Sequence, residues 1–328
     1  MAFLEVENLV KEFTVTKKKE GLKGAVSSLF HPEKYKVRAV DNISFNIEQG
    51  EIVGFIGPNG AGKSTAVKMM TGILHPTMGS VKINGISPHK NRKAVVGKLG
   101  VVFGQRTQLY WDLRLGETFE LLKRIYKIDD KMYKDNIKML DEVLNITEII
   151  DTPVRQLSLG QRMRGDLAAA MLHSPTMLFL DEPTIGLDIE AKHSIRNFIK
   201  QINERCGTTV ILTTHDLGDV EELCKRLIVI NHGKIVEDGP LNSIIERMAP
   251  YRYLVVELAS PHHNLFHPAA EVVKTETLRV WFKFDKSRIA ATELISDLSK
   301  TYPIRDVSVK EPDIEDMIME IYKKPVIF

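Results

Sequence analysis

A parallel α/β fold with a phosphate-binding loop, a helical insert and a small C-terminal α+β domain is what this 328-residue sequence predicts. Three observations carry that expectation. Short apolar runs that end in glycine, Asp-Glu or histidine alternate with helix-period stretches, as in a largely parallel sheet whose ligands bind at the strand C-terminal ends. Gly57-Pro58-Asn59-Gly60-Ala61-Gly62-Lys63-Ser64-Thr65 follows the apolar run Ile52–Ile56 and precedes the helix-permissive run Ala66–Met70. That is strand, glycine-rich loop and helix, the context a phosphate loop requires. Finally, the apolar period becomes purely helical between Arg114 and Asn145, and the texture shifts again after about Ala249-Pro250.

In chain order, Leu4 to Phe13 alternates and reads as a strand. A basic insert of about residues 14–38 follows, with Lys17, Lys18, Lys19, Lys23, Lys34, Lys36 and Arg38 against Glu20 and Glu33. Within it Leu22, Val26, Leu29 and Phe30 fall on one helical face, closed by Pro32. Two readings stand: a solvated hairpin, or a short amphipathic helix suited to the flank of a membrane partner or to anionic headgroups. Strands return at Ile43–Ile47 and Glu51–Ile56, then after the phosphate loop at Ser80–Ile83 and Leu99–Phe103, with Gln105 just past the last. In the helical insert, about 106–172, one face is marked by Leu115, Phe119, Leu122 and Ile125 and another by Ile137, Leu140, Val143 and Leu144. Leu157-Ser158-Leu159-Gly160-Gln161 then opens a helix. Met177–Leu180 is a strand ending in Asp181-Glu182, Ile189 to Arg205 a helix, and Thr208–Leu212 a strand ending before His215. The phosphate loop, Gln105, Asp181 and His215 all follow strands and should converge on one edge. The domain reading is 1–249 and 250–328. In the second part, His262, His263 and His267 read as solvated loop histidines, having no carboxylate or cysteine at ligand spacing beside them.

Forty-five basic and 43 acidic side chains give a net charge of +2, which implies no polyanion partner. Cys206 and Cys224 are too few for a disulfide framework, and Met1–Glu5 does not resemble a signal peptide. No apolar run approaches the 18 or so residues of a spanning helix. A soluble, cytosolic protein is expected, with any membrane role reached through a partner. In the phosphate loop, glycines let backbone N–H groups ring a phosphate chain at a helix N-terminus. Lys63 would reach the β- and γ-phosphates, and Ser64 would set its hydroxyl on Mg²⁺. No G-x-G-x-x-G follows the strand, so a dinucleotide site is excluded.

A phosphate loop alone does not separate a GTPase, a kinase and an ATPase. The ordered set does: the loop, Gln105, Leu157–Gln161, Asp181-Glu182, Gly186-Leu187-Asp188 and His215. Over about Phe3 to Met248 it resembles the ATP-binding subunits of ABC transporters, and most nearly those of the second exporter class, which serve drug, sodium, peptide and polysaccharide exporters. The resemblance implies a P-loop NTPase fold of ABC type and ATP hydrolysis with Mg²⁺. It implies that Phe13, with Tyr35 as rival, stacks on adenine, and that Gly57 to Thr65 wrap the phosphates. Ser64, Gln105 and Asp181 would hold Mg²⁺, Glu182 would be the general base, and His215 would touch the γ-phosphate. Ser158, Gly160 and Gln161 would face the other subunit's nucleotide, with Asp188 crossing the same interface. Leu159 departs from the family's usual glycine.

The implied partners are membrane permease subunits on separate chains and a second ATP-binding subunit, identical or related, at the cytoplasmic face of the membrane. Leu109, Tyr110, Trp111 and Leu113 read either as core or as a groove for a permease helix. A soluble ABC ATPase acting on nucleic acid or the ribosome is the alternative. It is disfavoured because the chain has neither a second phosphate loop nor a long coiled coil. The C-terminal domain reads as a brace for the dimer or a permease contact, in preference to a metabolite sensor.

Overall fold

The structure, a computed structural model, describes residues 2–16, 34–104, 106–248, 250–262 and 265–323. The expected amphipathic stretch at 22–30, Gln105 and His263 lie outside the described residues. The chain separates into two compact units, Met1–Gly239 and Pro240–Lys324.

In the first unit, β1 (Leu4–Thr16) and β2 (Lys34–Ile47) form a long antiparallel hairpin. It continues past Phe13, where alternation alone ends the strand, because Phe13 pairs with Val37 and Val15 with Tyr35. β3 (Ile52–Ile56) leads through the phosphate loop into α1 (Lys63–Met70), and β4 (Met78–Ile83) returns to β1, giving the order β2-β1-β4. After α2 (Arg92–Val96) and β5 (Leu99–Phe103) comes the helical insert, α3 (Leu115–Tyr126), α4 (Asp130–Leu144) and α5 (Leu159–Met171). Then β6 (Met177–Asp181), α6 (Ile189–Cys206), β7 (Thr209–Thr213), α7 (Leu217–Leu223), β8 (Arg226–Asn231) and β9 (Lys234–Pro240) complete a six-stranded sheet, β5-β6-β7-β3-β8-β9. Its pairs β5/β6, β6/β7, β7/β3 and β3/β8 are all parallel. As expected of a parallel sheet covered on both faces, β7 is buried along its length and β6 from Met177 to Leu180, with Asp181 half-buried at its end.

α1 lies in the main core. Its Ala66, Val67, Met69 and Met70 share one apolar cluster with Leu4 and Phe45 of the antiparallel sheet and Phe55, Phe179 and Ile228 of the parallel one. Each large side chain so buried contributes about 1.5–3 kcal/mol over its exposed state. Gly62 caps α1 at φ 107°, and a Cβ there would strike the Ala39 carbonyl oxygen, so only glycine fits.

In the insert, Leu115, Phe119 and Leu122 are buried as the period predicts, but Ile125 is exposed. The stripe continues at Tyr126, whose ring stacks on His173 with centroids 4.0 Å apart. At 3.6 residues per turn, position 126 stays on the face begun at 115, and 125 falls about 100° away.

α5 is tied to the segment after β5 by one buried carboxylate. Asp166 Oδ1 accepts from Thr107 Oγ1 at 3.0 Å and Gln108 N at 2.9 Å, while Gln108 Nε2 donates to the Asp166 carbonyl at 2.9 Å. Leu109 is buried next to this anchor, whereas Tyr110 and Trp111 stay exposed, with the Arg162 guanidinium 5.7 Å from the Trp111 ring. The stretch thus divides between the two sequence readings, part core and part free surface.

In the second unit, α8 (Leu241–Met248), β10 (Tyr251–Leu258), β11 (Ala270–Glu276), β12 (Arg279–Asp285), α9 (Ala291–Thr301), β13 (Ile304–Lys310) and α10 (Ile314–Lys323) build an α+β body. Its antiparallel sheet runs β11-β12-β10-β13 over a core of Leu254, Val256, Phe282, Phe284, Leu294 and Leu298. The break falls at Gly239, ahead of the 249/250 boundary suggested by composition, and α8 packs on α10. His267 departs from its expected solvation. It is buried, its Nδ1 accepts from Ala269 N at 3.1 Å, and its Nε2 lies 3.7 Å from Asp297. The carboxylate is remote in sequence, so spacing could not reveal it.

Burial pushes the Asp166 carboxyl up to about 6 despite its two donors. The folded chain therefore keeps a proton that the unfolded chain loses near pH 4, and stability falls as pH rises from about 4 through 6. Asparagine keeps an oxygen for both donors and cannot ionise. Asp166→Asn should be more stable than the parent above about pH 6, the gap closing by about pH 4, in urea unfolding across that range.

Candidate active site

The parallel register sets the site. Phe103 pairs with Asp181 and Asp181 with Thr213, so β5, β6 and β7 end level. The next residues leave the sheet together. Glu182 turns at φ 58° and donates its N–H to the Thr213 carbonyl at 2.9 Å. Gly104 N donates to the Asp181 carbonyl at 2.7 Å, and a Cβ at Gly104 would collide with the Glu182 carbonyl. Glycine is therefore required beside the acidic pair.

Lys63 is only 8% exposed. Its Nζ donates to the carbonyls of Gly57 at 2.6 Å and Pro58 at 3.3 Å, the loop's own backbone. Burial pulls the ammonium pKa down, and the charges of Glu182 and Asp181 oppose that fall. A buried cation whose hydrogen-bond partners among the described residues are neutral carbonyls is well suited to an anionic ligand. Ser64 Oγ lies 3.4 Å from Asp181 Oδ1, which also accepts from Thr213 Oγ1 at 2.5 Å. A hydroxyl and a carboxylate so placed are hard oxygen donors, the set that suits Mg²⁺. Ser64 and Asp181 fit the ion, and Gln105, the third expected ligand, lies outside the described residues. Bound there, Mg²⁺ would neutralise phosphate charge.

Glu182 Oε2 sits 2.5 Å from His215 Nδ1, with the Glu182 side chain 16% exposed and that of His215 61%. With Glu182 ionised, this bond requires the proton on Nδ1. Asn59, Gly60 and the stretch Gly62–Thr65 line one cleft of about 440 Å³ together with Ala39, Glu182, Ile185 and His215. The residues expected to handle phosphate, base and γ-phosphate contact are thus brought together, with Gly57, Pro58 and Ala61 forming the loop's own turn.

The remaining residues stand elsewhere. Ser158, Leu159, Gly160, Gln161 and Asp188 line a second cleft, about 520 Å³, that shares no residue with the first. Ser158 and Gln161 form a capping box on α5: Gln161 N donates to Ser158 Oγ at 3.2 Å and Ser158 N to Gln161 Oε1 at 2.9 Å. Asp188 Oδ1 caps α6 through Ala191 N at 2.8 Å. Phe13 and Tyr35 are both partly exposed on the hairpin, at 39% and 50%, and neither lines the phosphate cleft. The hydroxyl of Thr213 against Asp181 was not legible in sequence, since only strand register makes them neighbours.

Comparison with known proteins agrees with this chemistry. A sequence model of the ABC transporter family matches residues 40–185. The chain is 33% identical to the ABC transporter ATP-binding protein NatA of Bacillus subtilis, over 67% of this chain and 89% of that protein. It is 31% identical to the methionine import ATP-binding protein MetN 3 of Shouchella clausii, over 92% of this chain and 90% of that one. It is 34% identical to the Nod factor export ATP-binding protein I of Neorhizobium galegae, over 63% and 59%. Among solved structures, a dimeric ATP-binding cassette in a post-hydrolysis state with ADP and Pi superimposes with a TM-score of 0.61 at 26% identity, covering 73% of this chain and 98% of that one. The cleft, the acidic pair behind it and these likenesses agree: the chain belongs to the ABC transporter ATP-binding proteins, and it is an ATPase that binds ATP with Mg²⁺.

Proposed function

We propose that this chain is the ATP-hydrolysing subunit of an ABC exporter, and that it acts as a dimer on permease subunits supplied by separate chains at the cytoplasmic face of the membrane. One observation carries the dimer. The phosphate cleft and the second cleft, lined by Ser158, Gly160, Gln161 and Asp188, have no lining residue in common, which supports a second subunit that brings its own Ser158–Gln161 turn to the phosphates. No helix among the described residues is long and apolar enough to cross a membrane, which fits permeases on other chains.

In this reading Gly57 to Thr65 hold the phosphates, with Lys63 exchanging its carbonyl partners for phosphate oxygens. Asp181, Ser64 and Gln105 take the metal. Glu182 accepts the proton of the attacking water, and His215, anchored through Nδ1, offers Nε2 to the γ-phosphate. Ser158, Gly160, Gln161 and Asp188 serve the partner's nucleotide from the N-termini of α5 and α6. Phe13 is favoured over Tyr35 for adenine. Its cross-strand partner Val37 is two residues from Ala39, which abuts Gly62 of the phosphate loop, whereas Tyr35 is two pairs further out. ATP would favour the closed dimer and hydrolysis would release it, a population shift passed to the permease through the exposed Tyr110–Trp111 surface. Residues 1–249 would act as the nucleotide-binding domain, and 250–328 as an accessory domain that braces the dimer or touches the permease.

Export is supported by the likeness to the second exporter class and to the Nod factor export protein. A second reading, an importer, is favoured by the methionine import relative, whose match reaches over 92% of this chain. Recovering the permease from detergent-solubilised membranes with the tagged chain decides between them. A six-helix permease without a substrate-binding protein is the expected result, and an importer complex would remove the export reading.

Glu182→Gln should keep ATP binding, lower turnover by about 10²–10⁴ and elute as a dimer with Mg-ATP in size-exclusion chromatography. Wild-type hydrolysis would remove Glu182 from its role. Lys63→Ala should weaken ATP binding at least about tenfold by titration, since it removes the buried cation. Mixing inactive Lys63→Ala and inactive Gly160→Asp chains should restore part of the ATPase activity, because one composite site stays intact. No recovery on mixing would argue against shared sites.

A further inference from the structure

We propose that Asp219 is a positioning residue that locks the loop after β6 to the loop after β7 and so sets the Glu182–His215 pair. The inference rests on the reading of Glu182 as the general base and goes beyond it.

Asp219 lies on α7 with no exposed surface. Its Oδ2 accepts two hydroxyl protons, from Thr184 at 2.5 Å and from Thr214 at 2.9 Å. Its Oδ1 accepts from Arg196 Nε of α6 at 2.6 Å. Thr184 is two residues past Glu182, and Thr214 immediately precedes His215. One oxygen atom therefore holds both loops whose side chains meet in the 2.5 Å Glu182–His215 contact. Thr184 and Thr214 are buried as well, so neither hydroxyl has water as a substitute partner. Thr214 Oγ1 also accepts from Asp216 N at 3.0 Å, which fixes the turn that presents His215.

Neutralising Arg196 does not explain the arrangement by itself. Arg196 also meets Asp216 and Glu222, each at 3.3 Å. Because Asp219 Oδ2 is shared, displacing either loop disturbs the other, and a shift of the catalytic groups of about 1 Å can cost about 10² in rate. The phosphate loop, by contrast, has no hydrogen bond to this cluster among the described residues, so ATP affinity should not depend on it.

The test uses the full-length chain with Mg-ATP and the near-isosteric Thr184→Val, Thr214→Val and the double variant, beside Thr184→Ser. Each valine variant is expected to lower kcat about ten- to hundredfold while ATP affinity and KM stay within about threefold, and Thr184→Ser is expected to recover most of the loss. The double variant should lose little more than the worse single one, since both break the same link. Wild-type kcat in both single variants would overturn the proposal. So would a fall in kcat matched by equal losses of ATP affinity and thermal stability and not rescued by serine. Glu182→Gln run alongside separates the two readings. Wild-type turnover there removes the base itself, whereas an inactive Glu182→Gln beside fully active valine variants removes only the role of Asp219.

Discussion

Register in one parallel sheet is the constraint on which the rest depends. Asp181 is level with Phe103 on one side and Thr213 on the other, so the loops after β5, β6 and β7 leave the same edge at the same height. The loop after β3 joins them, because β3 is hydrogen-bonded between β7 and β8. A slip of one residue in β6 would turn the Asp181 side chain to the opposite face of the sheet and leave the others unchanged. The burial of β6 and β7 opposes that slip, since it would exchange the apolar side chains packed on the two faces. Apolar packing far from the phosphate cleft thus fixes where its carboxylate stands.

Within that frame the site holds opposite charges at high local cost. Lys63 is buried on its own loop's carbonyls, and its pKa is drawn down by burial against the pull of Glu182 and Asp181. Carbonyl oxygens take two of the ammonium's three donors without supplying charge, so a phosphate gains most of the electrostatic interaction on arrival. Glu182, in turn, is held by His215 and by its own N–H on the Thr213 carbonyl. Groups with fixed partners need little reorganisation when the substrate binds.

The second cleft follows a different logic. Ser158 and Gln161 satisfy each other in a capping box, and Asp188 caps its own helix. Each helix end is complete within the chain, and what it offers outward is the partial charge of its N-terminus. Leu159 is partly exposed there and would meet a Cβ placed on Gly186 at 3.3 Å, so the residue that departs from the family pattern crowds the turn leading to Asp188. Asp166 ties the same α5 to Thr107 and Gln108, joining the helix that Ser158 and Gln161 cap to the segment just past Gln105.

The sequence by itself determined whatever is contiguous. The phosphate loop, the Asp181-Glu182 pair, His215 after a strand, and the α/β alternation were all legible, because backbone geometry and helix-end chemistry act within a few residues. Periodicity also placed Leu115, Phe119 and Leu122 in the core, and failed at Ile125 because a helical stripe drifts and only packing against His173 shows which neighbour it reaches. Tertiary structure alone decided the partners of buried polar groups. Thr213 on Asp181, Thr107 and Gln108 on Asp166, Thr184 on Asp219, and Asp297 near His267 join residues that the chain keeps apart. A buried donor or acceptor must find some partner, and the choice among all that the chain could supply is made when the strands and helices pack.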